Sequence, residues 1–261
     1  MNDMPAAAGR DLLNKVPEAI LFFWVIKILA TTVGETAADF LNFDLNFGLT
    51  GTSFVMAGLL AVSLAAQLRA KRYVPWLYWL TVVLISVVGT LITDNLTDHF
   101  GVPLGVTTAA FSLALLATFA IWYAKERTLS IHSIRTRSRE LYYWAAILFT
   151  FALGTAAGDL FTERLNLGYA HSALLFGGLI AAVTLGYYAL RANAVLAFWL
   201  AYILTRPLGA ACGDYLSQPM ANGGLGLGTV QTSLLFLAAI SGLVFYLTLA
   251  RRDSTEQRSA Q

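Results

Sequence analysis

Eight stretches of about 20 predominantly apolar residues, at roughly 18–38, 52–69, 76–96, 105–124, 141–161, 171–190, 194–215 and 228–250, constrain this chain more than any other feature. About 20 residues of helix cross a hydrocarbon layer about 30 Å thick. The stretches do not alternate apolar with polar residues, as the wall of a membrane barrel would. The expected fold class is therefore all-α, a polytopic membrane protein of eight transmembrane helices. Composition agrees: 57% of the 261 residues are hydrophobic and 12% are charged, about half the charged fraction of a soluble domain.

The few charges orient the helices. Lys and Arg concentrate in alternate connections: Arg10 and Lys15 before the first helix, Arg69, Lys71 and Arg72, then Lys125, Arg127, Arg135, Arg137 and Arg139, then Arg191, and finally Arg251, Arg252 and Arg258. The intervening connections hold one basic residue, Arg164. Basic loops stay on the cytoplasmic side, so both termini are expected there, in a cell inner membrane. The first apolar run has a competing reading as a cleaved signal peptide headed by Lys15. Lys27 interrupts that run, and the repeat described next includes it. A net charge of +2 leaves no electrostatic footprint for nucleic acid, and one cysteine, Cys212, excludes an intramolecular disulfide.

An internal repeat organises the odd-numbered helices. Each carries Trp, Gly ten residues later and Asp five residues after that: Trp24, Gly34, Asp39; Trp79, Gly89, Asp94; Trp144, Gly154, Asp159; Trp199, Gly209, Asp214. The Trp spacings are 55, 65 and 55 residues (79 − 24, 144 − 79, 199 − 144), so the unit is a helical pair. The longer spacing coincides with the basic segment 125–140. The chain therefore divides into a cytoplasmic N-terminal segment 1–16, a first half 17–124, a basic cytoplasmic loop 125–140, a second half 141–250 and a polar tail 251–261 expected to be disordered. A 120-residue offset relates the halves and also maps Leu45, Asn46 and Gly48 onto Leu165, Asn166 and Gly168. Each unit holds two crossings, so all four copies run the same way and the pseudo-symmetry axis lies along the membrane normal.

On these four Trp-bearing copies, over 17–250, the chain resembles a family of uncharacterised bacterial inner-membrane proteins built from four tandem two-helix repeats. The resemblance implies an integral membrane protein and brings no activity with it, so the chemistry rests on the residues.

Seven ionisable residues lie in or at the ends of the odd helices: Lys27, Glu35, Asp39, Asp94, Asp159, Arg206 and Asp214. Such groups are expensive in a membrane and usually face a bundle interior or an aqueous cavity. At about 100° per residue from the Trp, the Asp lies near 60°, Glu35 near 20°, Arg206 near −20° and Lys27 near −60°, all within about 120° of arc. The repeat Gly, at about −80°, borders that face and admits a neighbouring helix. Four such faces turned to one centre would gather Asp39, Asp94, Asp159, Asp214 and Glu35, hard oxygen ligands suited to Mn²⁺, Mg²⁺ or Ca²⁺, or to a proton relay. Lys27 and Arg206 would neutralise them when no cation is bound.

Simpler readings stand beside these. The Asp residues close to helix ends also suit capping, and the Trp residues suit anchoring at the membrane interface. Thr52, Ser53, Thr107, Thr108, His171, Ser172, Thr229, Thr232 and Ser233 open the even helices, where hydroxyls ordinarily cap. His99 beside Asp98, and His171 near Glu163, admit metal capture or pH sensing. Pro207, after Arg206, is expected to interrupt the seventh helix.

No nucleotide loop, nucleophile–histidine–acid constellation or zinc helix is present. No cofactor is implied, and the chain is not expected to be an enzyme. The leading expectation is a secondary transporter for a small cation, a divalent metal such as manganese in the exporting direction, with the lipid bilayer as its solvent; a homo-oligomer is compatible with this. The alternative is a structural or sensory membrane protein whose basic loop 135–139 recruits a cytoplasmic partner or anionic lipid.

Overall fold

The computed structural model describes residues 14–41 and 48–250, apart from the side chains of Glu163 and Ala250. Arg10, Leu45, Asn46 and the tail 251–261 lie outside the described residues. Eight long helices carry the chain: α1 Leu21–Asp39, α2 Gly48–Arg69, α3 Pro75–Asp94, α4 Leu104–Glu126, α5 Arg137–Leu165, α6 Gly168–Leu190, α7 Ala194–Ser217 and α8 Thr229–Ala250. All eight are long and apolar enough to cross a membrane, and no strand occurs among the described residues.

The odd helices form a closed inner ring, in which α1 packs on α3, α3 on α5, α5 on α7 and α7 back on α1. Each even helix lies outside the ring against the odd helix of the following repeat: α2 on α3, α4 on α5, α6 on α7 and α8 on α1. The odd helices are 50–78% buried within the protein and the even ones 6–22%, so the even helices supply most of the lipid-facing surface. Leu59, Val62, Leu113, Leu116, Leu185, Leu234 and Phe245 are exposed on them accordingly.

Two repeated contacts close the ring. A β-carbon at each repeat glycine would strike the residue seven after the Trp of the next repeat: Gly34 meets Ser86, Gly89 meets Phe151, Gly154 meets Arg206, and Gly209 meets Thr31 of the first repeat. Removing Cβ lets these backbones approach closely, the usual means of helix association in lipid. Nearer the Trp end, the residue before each Trp packs its ring, tilted, against the Trp of the next repeat: Phe23 on Trp79, Tyr78 on Trp144, Tyr143 on Trp199 and Phe198 on Trp24, with centroids 5.6, 5.5, 6.3 and 5.5 Å apart. Trp79, Trp144 and Trp199 are buried and Trp24 half-buried. Interfacial anchoring thus gives way to a structural role, because the aromatic ring system fills the bundle interior.

Three other expectations shift. The basic loop contracts to 127–136, since α4 runs to Glu126 and α5 starts at Arg137; Arg139 Nε donates to Glu126 Oε2 at 2.7 Å and ties the two helix ends together. Helix α7 passes through Pro207 unbroken. The Ile203 carbonyl, which proline cannot bond, faces the close-packed side of Gly154 on α5. Five of the hydroxyls that open the even helices bond elsewhere than at a cap: Ser53, Thr107 and Thr232 donate back to carbonyls four residues earlier, while Ser172 bonds Thr162 and Ser233 bonds Thr36.

Candidate functional site

Counting from the repeat Trp, positions −1, +3, +7, +11 and +15 recur every four residues, one stripe of a helix. In the ring these stripes generate stacked layers. The −1 layer contains Tyr78 and Tyr143, whose hydroxyls bond at 2.5 Å. The +3 layer contains Lys27 and Tyr202, the +7 layer Phe151 and Arg206, the +11 layer Glu35 and Thr90, and the +15 layer the four Asp residues. Polarity therefore rises from the Trp end toward the opposite end.

Arg206 crosses between layers. Its guanidinium starts on α7, and Nη2 donates to Glu35 Oε2 on α1 and to Thr90 Oγ1 on α3, both at 2.5 Å. Helices α3 and α7 are not neighbours in the ring, so the side chain spans the interior. Arg206 is fully buried, whereas Glu35 keeps 15% of its side-chain surface. Thr90 is the second-repeat counterpart of Glu35, and aligning the copies at +11 would have marked it.

Asp39, Asp94, Asp159 and Asp214 are all half-buried and belong to one electrostatic group. Glu35, Asp159 and Arg206 act on Asp94, and Glu35, Asp39, Asp159 and Arg206 act on Asp214. Tyr169, from α6, lies within range of Asp39 and Asp214. The four carboxylates and Glu35 thus share one end of the ring. Among the described residues, however, no three His, Cys, Asp or Glu side chains are gathered closely enough to hold a metal ion.

Lys27 stands apart from the carboxylates. It is 1% exposed, and its ammonium lies 3.9 Å from the ring centroid of Phe151 on α5 and 4.3 Å from that of Tyr202 on α7. Such cation–π contacts partly replace water around the charge. His99 and His171 are exposed; His99 packs on Phe100 and His171 Nδ1 lies 3.1 Å from the Leu167 carbonyl.

The sequence reading missed a second polar cluster at the Trp end. Asn14, Lys15 and Val16 are buried, and Lys15 Nζ donates to Glu140 Oε2 at 2.6 Å and to the Leu68 carbonyl at 3.3 Å. Gln67 Nε2 donates to Glu140 Oε1 at 3.5 Å, and the Lys15 amide bonds the Ile134 carbonyl. The N-terminal segment, the end of α2 and the start of α5 are thereby locked beneath the ring. Both charges sit where a sequence shows only loop residues, 125 positions apart.

A family model described as Repeat of Unknown Function (DUF347) matches four times, at 22–73, 77–128, 142–193 and 197–253. Each match spans one odd helix and the even helix after it, the unit that the Trp, Gly and Asp spacing defines. No curated protein and no solved structure matches the chain. With four tandem copies covering nearly all of its length, the chain belongs to the DUF347 family of repeats of unknown function.

Proposed function

We propose that this protein is a secondary transporter for a small cation, seated in a cell inner membrane with both termini in the cytoplasm. The observation that supports it is the Glu35–Arg206 ion pair set beneath four half-buried Asp residues at one end of the closed ring. Clustered carboxylates draw a cation toward that end, and hard oxygen donors favour Mn²⁺, Mg²⁺ or Ca²⁺. Arg206 acts as a tethered counter-cation: it occupies Glu35 in the present state and yields it when the substrate arrives. With Arg206 in place the carboxylates are too dispersed to enclose a metal, so loading requires the odd helices to shift. The buried aromatic layers and the Lys15–Glu140 pair close the opposite end.

A divalent metal such as manganese, moved outward, is the preferred substrate. An enzymatic role is not proposed. Elemental analysis of cells expressing wild type, Glu35→Gln, Asp39→Asn, Asp94→Asn, Asp159→Asn and Asp214→Asn after loading with single metals tests the reading. Wild type should lower the content of one metal and Glu35→Gln should not. If wild type changes no metal and none of the substitutions alters growth under metal stress, the metal reading fails, and a pH-gradient assay in liposomes then asks whether the cation is a proton.

A further inference from the structure

The geometry points to a second site, for a compact singly charged anion, between Lys27 and Arg206 in the interior of the ring. This goes beyond the cation reading and does not depend on it. Arg206 is fully buried, and Nη2 alone reaches Glu35 and Thr90; Nε and Nη1 have no acceptor. Lys27 is equally buried, and no ion pair reaches it among the described residues. Arg206 is the charged group close enough to act on it. Tyr202, one turn before Arg206 on α7, lays its ring against the Lys27 ammonium, and its buried hydroxyl has no hydrogen-bond partner.

Charge and hydrogen bonding thus fall short together. In the +3 to +11 layers Lys27 and Arg206 face one carboxylate, Glu35, and that carboxylate is paired with Arg206, so Lys27 has no ion-pair partner there. Buried charges in a membrane protein are almost always paired. Asp94 and Asp214 offset Arg206 from the +15 layer, but no hydrogen bond joins them to it, and Lys27 lies on the far side of Arg206 from that layer. The rings of Phe151 and Tyr202 moderate the Lys27 charge without offering an acceptor to the guanidinium. One monovalent anion between the two side chains would supply both the partner that Lys27 lacks and the acceptor that Arg206 Nε and Nη1 lack. Close helix packing at Gly154 and Gly209 excludes an organic phosphate and limits the occupant to an ion no larger than a halide.

Bromide is a suitable probe. The full chain is purified in detergent at pH 7, and sodium gluconate is exchanged stepwise for sodium bromide at constant ionic strength, so that sodium stays fixed and the thermal unfolding midpoint reads the anion. Wild type should show a saturable rise in midpoint. Lys27→Met should raise the half-saturating bromide concentration by about tenfold or more. Glu35→Gln should lower it, because the competing internal carboxylate is gone while the folded scaffold is kept. No saturable rise in wild type overturns the proposal, as does an equal response in wild type and Lys27→Met. If Lys27→Met does not fold, Glu35→Gln decides: tighter bromide binding supports the site, and unchanged or weaker binding overturns it.

Discussion

Gly209, in the fourth repeat, is packed directly against Thr31 of the first, and this contact closes the ring. Thr31 Oγ1 also reaches the Thr205 carbonyl at 3.2 Å, and Thr32 Oγ1 donates to the Gly209 carbonyl at 3.0 Å. The last joint is therefore built like the other three and reinforced with hydroxyls, which serve as polar glue between membrane helices.

Overpacking at these glycine joints should be costly. Gly154→Ala places Cβ where Arg206 Cβ stands 2.6 Å away, and Gly209→Ala meets Thr31, so each should lose about 1–3 kcal/mol. Gly58→Ala on α2 meets nothing within 4 Å and should be neutral or slightly stabilising. Unfolding midpoints of the three variants in one detergent check the order.

The two halves of the Glu35–Arg206 pair should not be equivalent. Glu35→Ala strands a fully buried guanidinium, a loss of about 3–5 kcal/mol. Arg206→Met leaves a carboxylate that retains partial exposure toward the acidic end, so its cost should be smaller. Denaturant unfolding measures both, and equal losses would show that Glu35 is as isolated from solvent as Arg206.

Beneath the ring, Lys15 and Glu140 are 3% and 1% exposed and bonded to each other. Lys15→Met and Glu140→Gln should each destabilise strongly, because each leaves one buried partner unsatisfied. The double variant should cost less than the sum of the singles. Additive losses in the double-mutant cycle would mean that the pair does not act as a lock.

Orientation can be read by labelling. In a Cys212→Ser background, His132→Cys lies on the basic face and Asn222→Cys on the opposite one, both at exposed positions. A membrane-impermeant maleimide should label Asn222→Cys in intact cells and His132→Cys only after the membrane is opened. The reverse pattern would invert the topology.

Much of the architecture was legible because the repeat made it so. Eight apolar runs fixed the helices, helical parity fixed the common direction of the odd helices, and the 100° step put Glu35, Arg206 and the Asp residues on one face. Lys27 shows where this stops: its angle fits that face, but the structure seats it among aromatic rings away from the carboxylates. The hydropathy of Trp144 and Trp199 suits a membrane interface as well as a bundle core, and only their contact partners separate the two.

The sequence by itself determined the spans, the repeat unit and which residues share a stripe, because these depend on local helix geometry and on the cost of polarity in lipid. Only the tertiary structure decided which stripe meets which. That Gly209 finds Thr31, that Arg206 bridges Glu35 and Thr90, and that Lys15 reaches Glu140 depend on how four helices close into a ring. Ring closure is governed by steric fit between residues far apart in the chain, which no local period encodes.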